Sequence, residues 1–233
     1  MGRSPQSPSR VFGRRRGRAL RPGRKSLVAE LLPQLAVALS GSSPLDPQPL
    51  FGSAPRPIWL EIGFGGGEHL ADQAECHPAI GFLGCEVFEN GIAKLLTEID
   101  RRGLANIRVF GDDARLLLAA LPAASVDRVF VLFPDPWPKQ RHKKRRLVSS
   151  ETLDRLAVIM RGGAELRLAT DDPDYLSWML ERVTRHPAFE WLARRPTDWR
   201  ARPADWPPTR YEEKARAAGR ASYFLRFVRR PGG

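Results

Sequence analysis

Residues 126–147 read VDRVFVLFPDPWPKQRHKKRRL, and this stretch sets how the chain is organised. An apolar run suited to a buried strand (129–133) leads directly into Pro134-Asp135-Pro136-Trp137-Pro138. Residues 139–146 then hold six Lys or Arg and one His. In an open α/β sheet the carboxyl ends of the strands carry the chemistry. Asp135 stands at such an end, between two prolines that restrict its backbone. An acid held stiffly beside a cationic run points to an enzyme that works on nucleic acid.

Outward from that stretch, short apolar runs alternate with helical spacing. Strands are predicted at 58–62, 80–85, 107–110, 127–133 and 164–169, with a last one at 223–228. Helices are predicted at 67–76, 88–102, 112–120, 146–161 and 173–185. Repeated strand-helix units at this spacing predict a doubly wound, mostly parallel Rossmann-like sheet. Ahead of it stand a flexible basic arm (1–25), a short helix (26–39) and a Pro/Gly/Ser linker (40–57). Residues 58–233 form one α/β domain.

The chain of 233 residues carries a net charge of +12, unevenly spread. Residues 1–25 hold nine Arg or Lys and no acid, and residues 139–146 hold six more cations and no acid. Without those two segments the remainder is net −3. An acidic domain with two cationic segments is the footprint of a polyanionic partner. The apolar stretch 27–39 is interrupted by Glu30, Pro33 and Gln34, too short and too polar to span a bilayer. The arm has the arginine-rich, acid-free composition of a targeting segment, but its prolines and glycines spoil an amphipathic helix. Two cysteines, Cys76 and Cys85, do not make a disulfide framework, which favours a reducing, cytoplasmic setting. The four histidines (69, 77, 142, 186) lack metal-ligand spacing, so no metal is expected.

The cofactor signal lies after the first strand, where Gly63, Gly65, Gly66 and Gly67 follow Trp59-Leu60-Glu61-Ile62. Glycines there let the chain turn and let a ligand approach the backbone. Glu61 would repel a pyrophosphate and suits a cationic ligand. Glu86 closes the second strand, where such folds grip a ribose diol. After the third strand, Asp112 is expected to cap the next helix, leaving Asp113 for an adenine edge. With the glycine turn, these acids favour S-adenosylmethionine over a nicotinamide dinucleotide or a nucleoside triphosphate. No GxxxxGK[ST] loop occurs.

Six segments carry a resemblance. They are LEIGFGGGE (60–68), GCE (84–86), FPDPWPK (133–139), RHKKRR (141–146), ATD (169–171) and TRYE (209–212). In that order the chain resembles the bacterial tRNA (guanine-N7)-methyltransferases, over nearly all of 58–228. The proline-tryptophan signature with its basic run is the specific part; the glycine motif fits any class I methyltransferase. The resemblance implies methyl transfer from S-adenosylmethionine to N7 of the variable-loop guanosine at tRNA position 46, in a class I methyltransferase fold with an antiparallel final strand. It assigns Glu61, Glu86 and Asp113, with Gly63 and Gly65, to the methyl donor, and makes Asp135 the active-site acid that also borders the donor. Lys139, Asp171, Thr209, Arg210, Tyr211 and Glu212 become substrate contacts. Arg141, Lys143, Lys144, Arg145 and Arg146 become contacts to RNA phosphates. Tyr211 stands where phenylalanine is expected, another aromatic. No obligatory protein partner is implied, which leaves a monomer or homodimer.

Guanine N7 has a lone pair and no proton, so positioning rather than a general base is the chemistry required. Asp135 then orients the base or the donor. Three other readings stay open at this level. They are a class I methyltransferase with a protein, small-molecule or different RNA substrate, a non-catalytic RNA-binding protein, and a nicotinamide oxidoreductase. A protein or small-molecule substrate has no need of two basic segments, the second reading leaves the strand-end acids unexplained, and the third conflicts with Glu61.

Overall fold

The computed structural model describes residues 13–39 and 44–231. The first twelve residues of the basic arm, positions 40–43 of the linker and the last two residues lie outside the described set. Seven strands form one sheet: β1 (Ile58–Ile62), β2 (Gly81–Cys85), β3 (Ile107–Phe110), β4 (Val126–Leu132), β5 (Met160–Thr170), β6 (Phe189–Trp191) and β7 (Tyr223–Arg229). Their order is β3-β2-β1-β4-β5-β7-β6. The first five run parallel; β7 is antiparallel to β5, and β6 is antiparallel to β7. The helices are α1 (Pro22–Glu30), α2 (Leu32–Leu35), α3 (Glu68–Cys76), α4 (Glu89–Arg102), α5 (Ala114–Ala120), α6 (Ser150–Ile159), α7 (Pro173–Arg185), α8 (Thr197–Arg200) and α9 (Arg210–Ala217). The doubly wound sheet with an antiparallel final strand is therefore present.

Both faces of the sheet are covered, which explains why β1 is buried at all five positions. Side chains alternate between the faces. Ile58, Leu60 and Ile62 join Leu117 of α5, Leu153 of α6 and Met179 of α7 in one core. Trp59 points the other way, to Phe82, Leu70 of α3 and Leu95 of α4. Sheet order reverses between β1 and β4, so the loops after these strands diverge and leave a crevice at their carboxyl ends.

Several boundaries differ from the sequence reading for identifiable reasons. The first helix begins at Pro22, inside the expected arm, because proline is pre-set for a first helical turn. It ends early, and Ala36 and Val37 run beside β3, with Val37 N–H donating to Val109 at 2.8 Å. The helix expected from 146 starts at Ser150, capped by the Ser149 hydroxyl, which accepts from Thr152 N–H. Residues 140–145 form a 3-10 turn instead. Sequence reading missed β6, whose three residues are shaped by pairing with β7 and by Trp191 stacking on Phe227.

The segment between β4 and α6 is held against its own backbone preference. Phe133 and Trp137 adopt φ of +50° and +45°, which non-glycine residues rarely do. Arg146 fastens this segment. Its side chain is buried, Nε donates to the Pro136 carbonyl at 2.7 Å, Nη2 pairs with Asp174, and the guanidinium lies over Tyr175 and Trp178. Arg146, expected to meet RNA phosphate, is thus an internal anchor, because Pro136, Asp174, Tyr175 and Trp178 already engage its guanidinium. Arg146→Ala should lower the unfolding free energy by about 2–3 kcal/mol, the loss of charged hydrogen bonds. Lys144→Ala, at an exposed position of the same run, should change it by no more than about 0.5 kcal/mol. Urea denaturation of both variants measures the difference.

Candidate active site

A cavity of about 690 Å³ opens at the carboxyl ends of the central strands. Its floor is the glycine turn after β1. Gly63 N–H donates to the Cys85 carbonyl at 2.7 Å, tying the turn to β2. Gly65 has φ +58°, and a Cβ placed on Gly91 of α4 would lie 2.1 Å from the Gly65 carbonyl oxygen. Only glycine at both positions lets α4 close this tightly on the turn.

Glu86 follows β2 and faces the cavity. One carboxylate oxygen accepts from Val87 and Phe88 N–H at 2.8 and 2.9 Å; the other accepts from Gly65 N–H at 2.8 Å. Burial pushes its pKa up despite those three donors, and the charge of Asp135 adds to the rise. Asp135 also lines the cavity, and among the described residues it has no hydrogen-bond or ion-pair partner. Its side chain is open to the cavity, yet the surrounding walls strip enough water to raise its pKa.

After β3 the cap falls to Asp113 rather than Asp112. Asp113 caps α5, accepting from Arg115 N–H at 3.0 Å, while it also lines the cavity. Asp112 is more exposed, accepts from Asp113 N–H at 2.8 Å and pairs with Arg15 at 2.6 Å. The helix starts two residues later than predicted, at Ala114, and the cap moves on by one residue.

Glu61 does not join this group. It lies on the sheet face below, with its carboxylate 2.6 Å from His69 Nδ1 and the His69 ring packed edge-on to Phe130. Glu61 is the last residue but one of β1 and His69 the second residue of α3, so the pair ties the two sides of the glycine turn together. Glu61, expected to contact the cofactor, is outside the cavity lining and is engaged with His69.

The mouth is basic and partly aromatic. Trp137 and Arg145 line it, with the Arg145 guanidinium 4.9 Å from the centre of the Trp137 ring. Arg210 and Tyr211 of α9 also line the cavity, and Tyr211 packs against Gly65. Lys139, Arg141 and Lys144 are exposed and outside the cavity lining. Lys143 pairs with Asp174 at 2.7 Å. Asp171 pairs with Arg220 at 2.8 Å, Thr209 caps α9 through Glu212 N–H, and Glu212 pairs with Arg202 at 3.2 Å. Of the expected substrate contacts, then, Arg210 and Tyr211 meet the cavity, and Asp171, Thr209 and Glu212 have partners that hold α9 and its neighbours.

Sequence reading missed Glu68, Lys94 and Lys214 in the lining, and also the arm itself. Gly13, Arg14, Gly17 and Arg18 form part of the cavity wall. Asn90 clasps them: its Oδ1 accepts from Gly17 N–H at 2.8 Å and its Nδ2 donates to the Arg18 carbonyl at 2.7 Å. Periodicity gives no hint of such a contact between residues about seventy positions apart.

Three cavity carboxylates, Glu68, Glu86 and Asp135, have no ion-pair partner among the described residues, and Glu86 and Asp135 fit a ligand that brings hydroxyl donors and positive charge. S-adenosylmethionine is such a ligand. No group of three or more His, Cys, Asp or Glu among the described residues is arranged to hold a metal ion. No helix of the described residues is long and apolar enough to cross a membrane.

Residues 55–225 match the family model Methyltransf_4, described as "Putative methyltransferase". The chain is 51% identical over 237 residues to a tRNA (guanine-N(7)-)-methyltransferase of Rhodospirillum rubrum, across 99% of this chain and 92% of that protein. It is 52% identical over 231 residues to the protein of that name from Paramagnetospirillum magneticum, across 98% and 96%. Among solved structures, the 16S rRNA methyltransferase KamB superposes with a TM-score of 0.54 at 16% identity, covering 76% of this chain and 89% of that one. An rRNA methylase from Streptococcus thermophilus gives 0.52 at 13%, covering 75% and 87%. These distant likenesses speak for the fold. With full-length relatives sharing about half its residues, the chain belongs to the tRNA (guanine-N7)-methyltransferase family.

Proposed function

We propose that the chain transfers the methyl group of S-adenosylmethionine to N7 of a guanosine in tRNA, and that the target is the variable-loop guanosine at position 46. The observation that carries this reading is the convergence of Glu86, Asp113 and Asp135 on one cavity with a cationic mouth. The relatives' shared name supports the RNA substrate.

S-adenosylmethionine, when bound, supplies a methyl group on a positively charged sulfur. Glu86 would hold its ribose hydroxyls, since three backbone N–H groups already fix the carboxylate's orientation. Asp113, immobilised as the α5 cap, borders the adenine side. Asp135 orients rather than deprotonates, because N7 has no proton to lose. Its free carboxylate accepts hydrogen bonds from the N1–H and N2–H₂ edge of guanine, or from the donor's amino group. Adenine lacks that pair of donors. Trp137, braced by Arg145, offers a ring face to a base lifted from its stack. Lys139, Arg141 and Lys144, exposed beside the mouth, meet backbone phosphates. The chain acts in the cytoplasm without a separate protein subunit.

Incubation with labelled S-adenosylmethionine and unmodified tRNA, followed by aniline cleavage at N7-methylated guanosine, should place the label at position 46. Label absent from tRNA, or on another base, refutes the reading. Asp135→Asn should cut turnover by roughly 100-fold, as misplaced reactants do, while donor affinity measured by calorimetry changes far less. Donor affinity should also depend on pH. The ligand favours ionised Glu86 and Asp135, whose pKa values are raised. Affinity therefore falls on acidification, starting above the ordinary carboxylate range, and the Glu86→Gln variant shows a shallower profile.

A further inference from the structure

Arg24 of α1, Lys94 of α4, and Arg210 and Lys214 of α9 converge on one side of the cavity mouth. Lys94, Arg210 and Lys214 line the cavity itself, and α1, which carries Arg24, packs on α4. Burial and the charges of Arg210, Arg24 and Lys214 all lower the Lys94 pKa, opposed by Glu68. Among the described residues none of the four has a carboxylate at ion-pair distance. Other arginines of this chain are paired: Arg102 with Asp72, Arg167 with Asp205, Arg202 with Glu212 and Arg220 with Asp171. Like charges gathered without counter-ions repel and raise the free energy of the empty site. A bound anion removes that penalty.

We propose that these four cations form a site for a backbone phosphate of the RNA strand next to the target nucleotide. The inference rests on the RNA reading above and deepens it. The cationic run 139–146 contributes fewer phosphate contacts than its composition implies, because Arg146 is buried and Lys143 is engaged with Asp174. Lys94, Arg210 and Lys214 line the same cavity as Arg145 and Trp137, so a single strand entering it meets cations from both groups. Tyr211 stands between Arg210 and Lys214 in sequence, and Lys214 Nζ lies 5.6 Å from its ring centre. Cations interleaved with an exposed aromatic ring suit an unpaired nucleotide, which presents phosphate and base together.

The test uses the full chain and unmodified tRNA, with Lys94→Gln/Lys214→Gln compared with the unaltered protein. Affinity is measured between about 50 and 200 mM salt, and donor affinity is measured in parallel. The double variant should reduce the slope of log affinity against log salt by roughly 1, the signature of a lost phosphate contact, with donor affinity within about twofold. Arg101→Gln, on α4 but outside the cavity lining, should retain the original slope. An unchanged slope in the double variant overturns the site. So does a loss of donor affinity with the slope retained, which would mean that the cations serve the donor's carboxylate. An equal drop in Arg101→Gln overturns it too, by reducing the effect to net charge. If the unaltered protein binds no tRNA or leaves it unmethylated, the functional reading fails first, and the two failures stay distinct.

Discussion

Parallel pairing of β1 with β4 is the constraint on which the remaining architecture depends. Trp59, Leu60 and Glu61 lie beside Arg128, Val129 and Phe130, and Asp127 strengthens the start of the pair by accepting from Ile58 N–H at 2.7 Å. Crossovers from these two neighbours run to opposite sides of the sheet, so their outgoing loops cannot fill the space between them. The glycine turn leaves one strand and Phe133-Pro134-Asp135 leaves the other. A shift in this register by one residue would invert the buried faces of both strands. It would also separate the turn from the acid that faces it.

The charges are partitioned by depth. Glu86 and Asp135 are kept ionisable inside the crevice, where burial opposes their charge. Cations stand outside them at the mouth. A third group supports the rim from below: Arg167 is buried and pairs with Glu165 at 2.8 Å and Asp205 at 2.7 Å. Gln73 of α3 donates to the Asp205 carbonyl, and neighbouring Trp206 packs edge-on against Phe224 of β7. These contacts fix the chain just before α9, and so fix where Arg210 and Tyr211 stand.

The central strands were legible because a sheet covered on both faces needs continuous apolar runs, and the chain contains few others. The three tryptophans at 191, 199 and 206 pack on Phe227, Tyr223 and Phe224 of the last strand. Local sequence failed where an outcome depends on distant partners. Glu61 carries the right charge in the right motif, but His69 claims it. Arg146 looks like the other cations of its run until Asp174, Tyr175 and Trp178 enclose it. The part played by residues 13–18 depends on Asn90, which no spacing rule connects to them.

The prolines around Asp135 have a chemical corollary. Neither Pro134 nor Pro136 possesses an amide hydrogen, and the Pro136 carbonyl is already occupied by Arg146. Of these three residues only Asp135 keeps an amide hydrogen, so this stretch of wall is rich in acceptors and poor in donors. A molecular edge that brings its own hydrogens docks there more readily than one made of lone pairs.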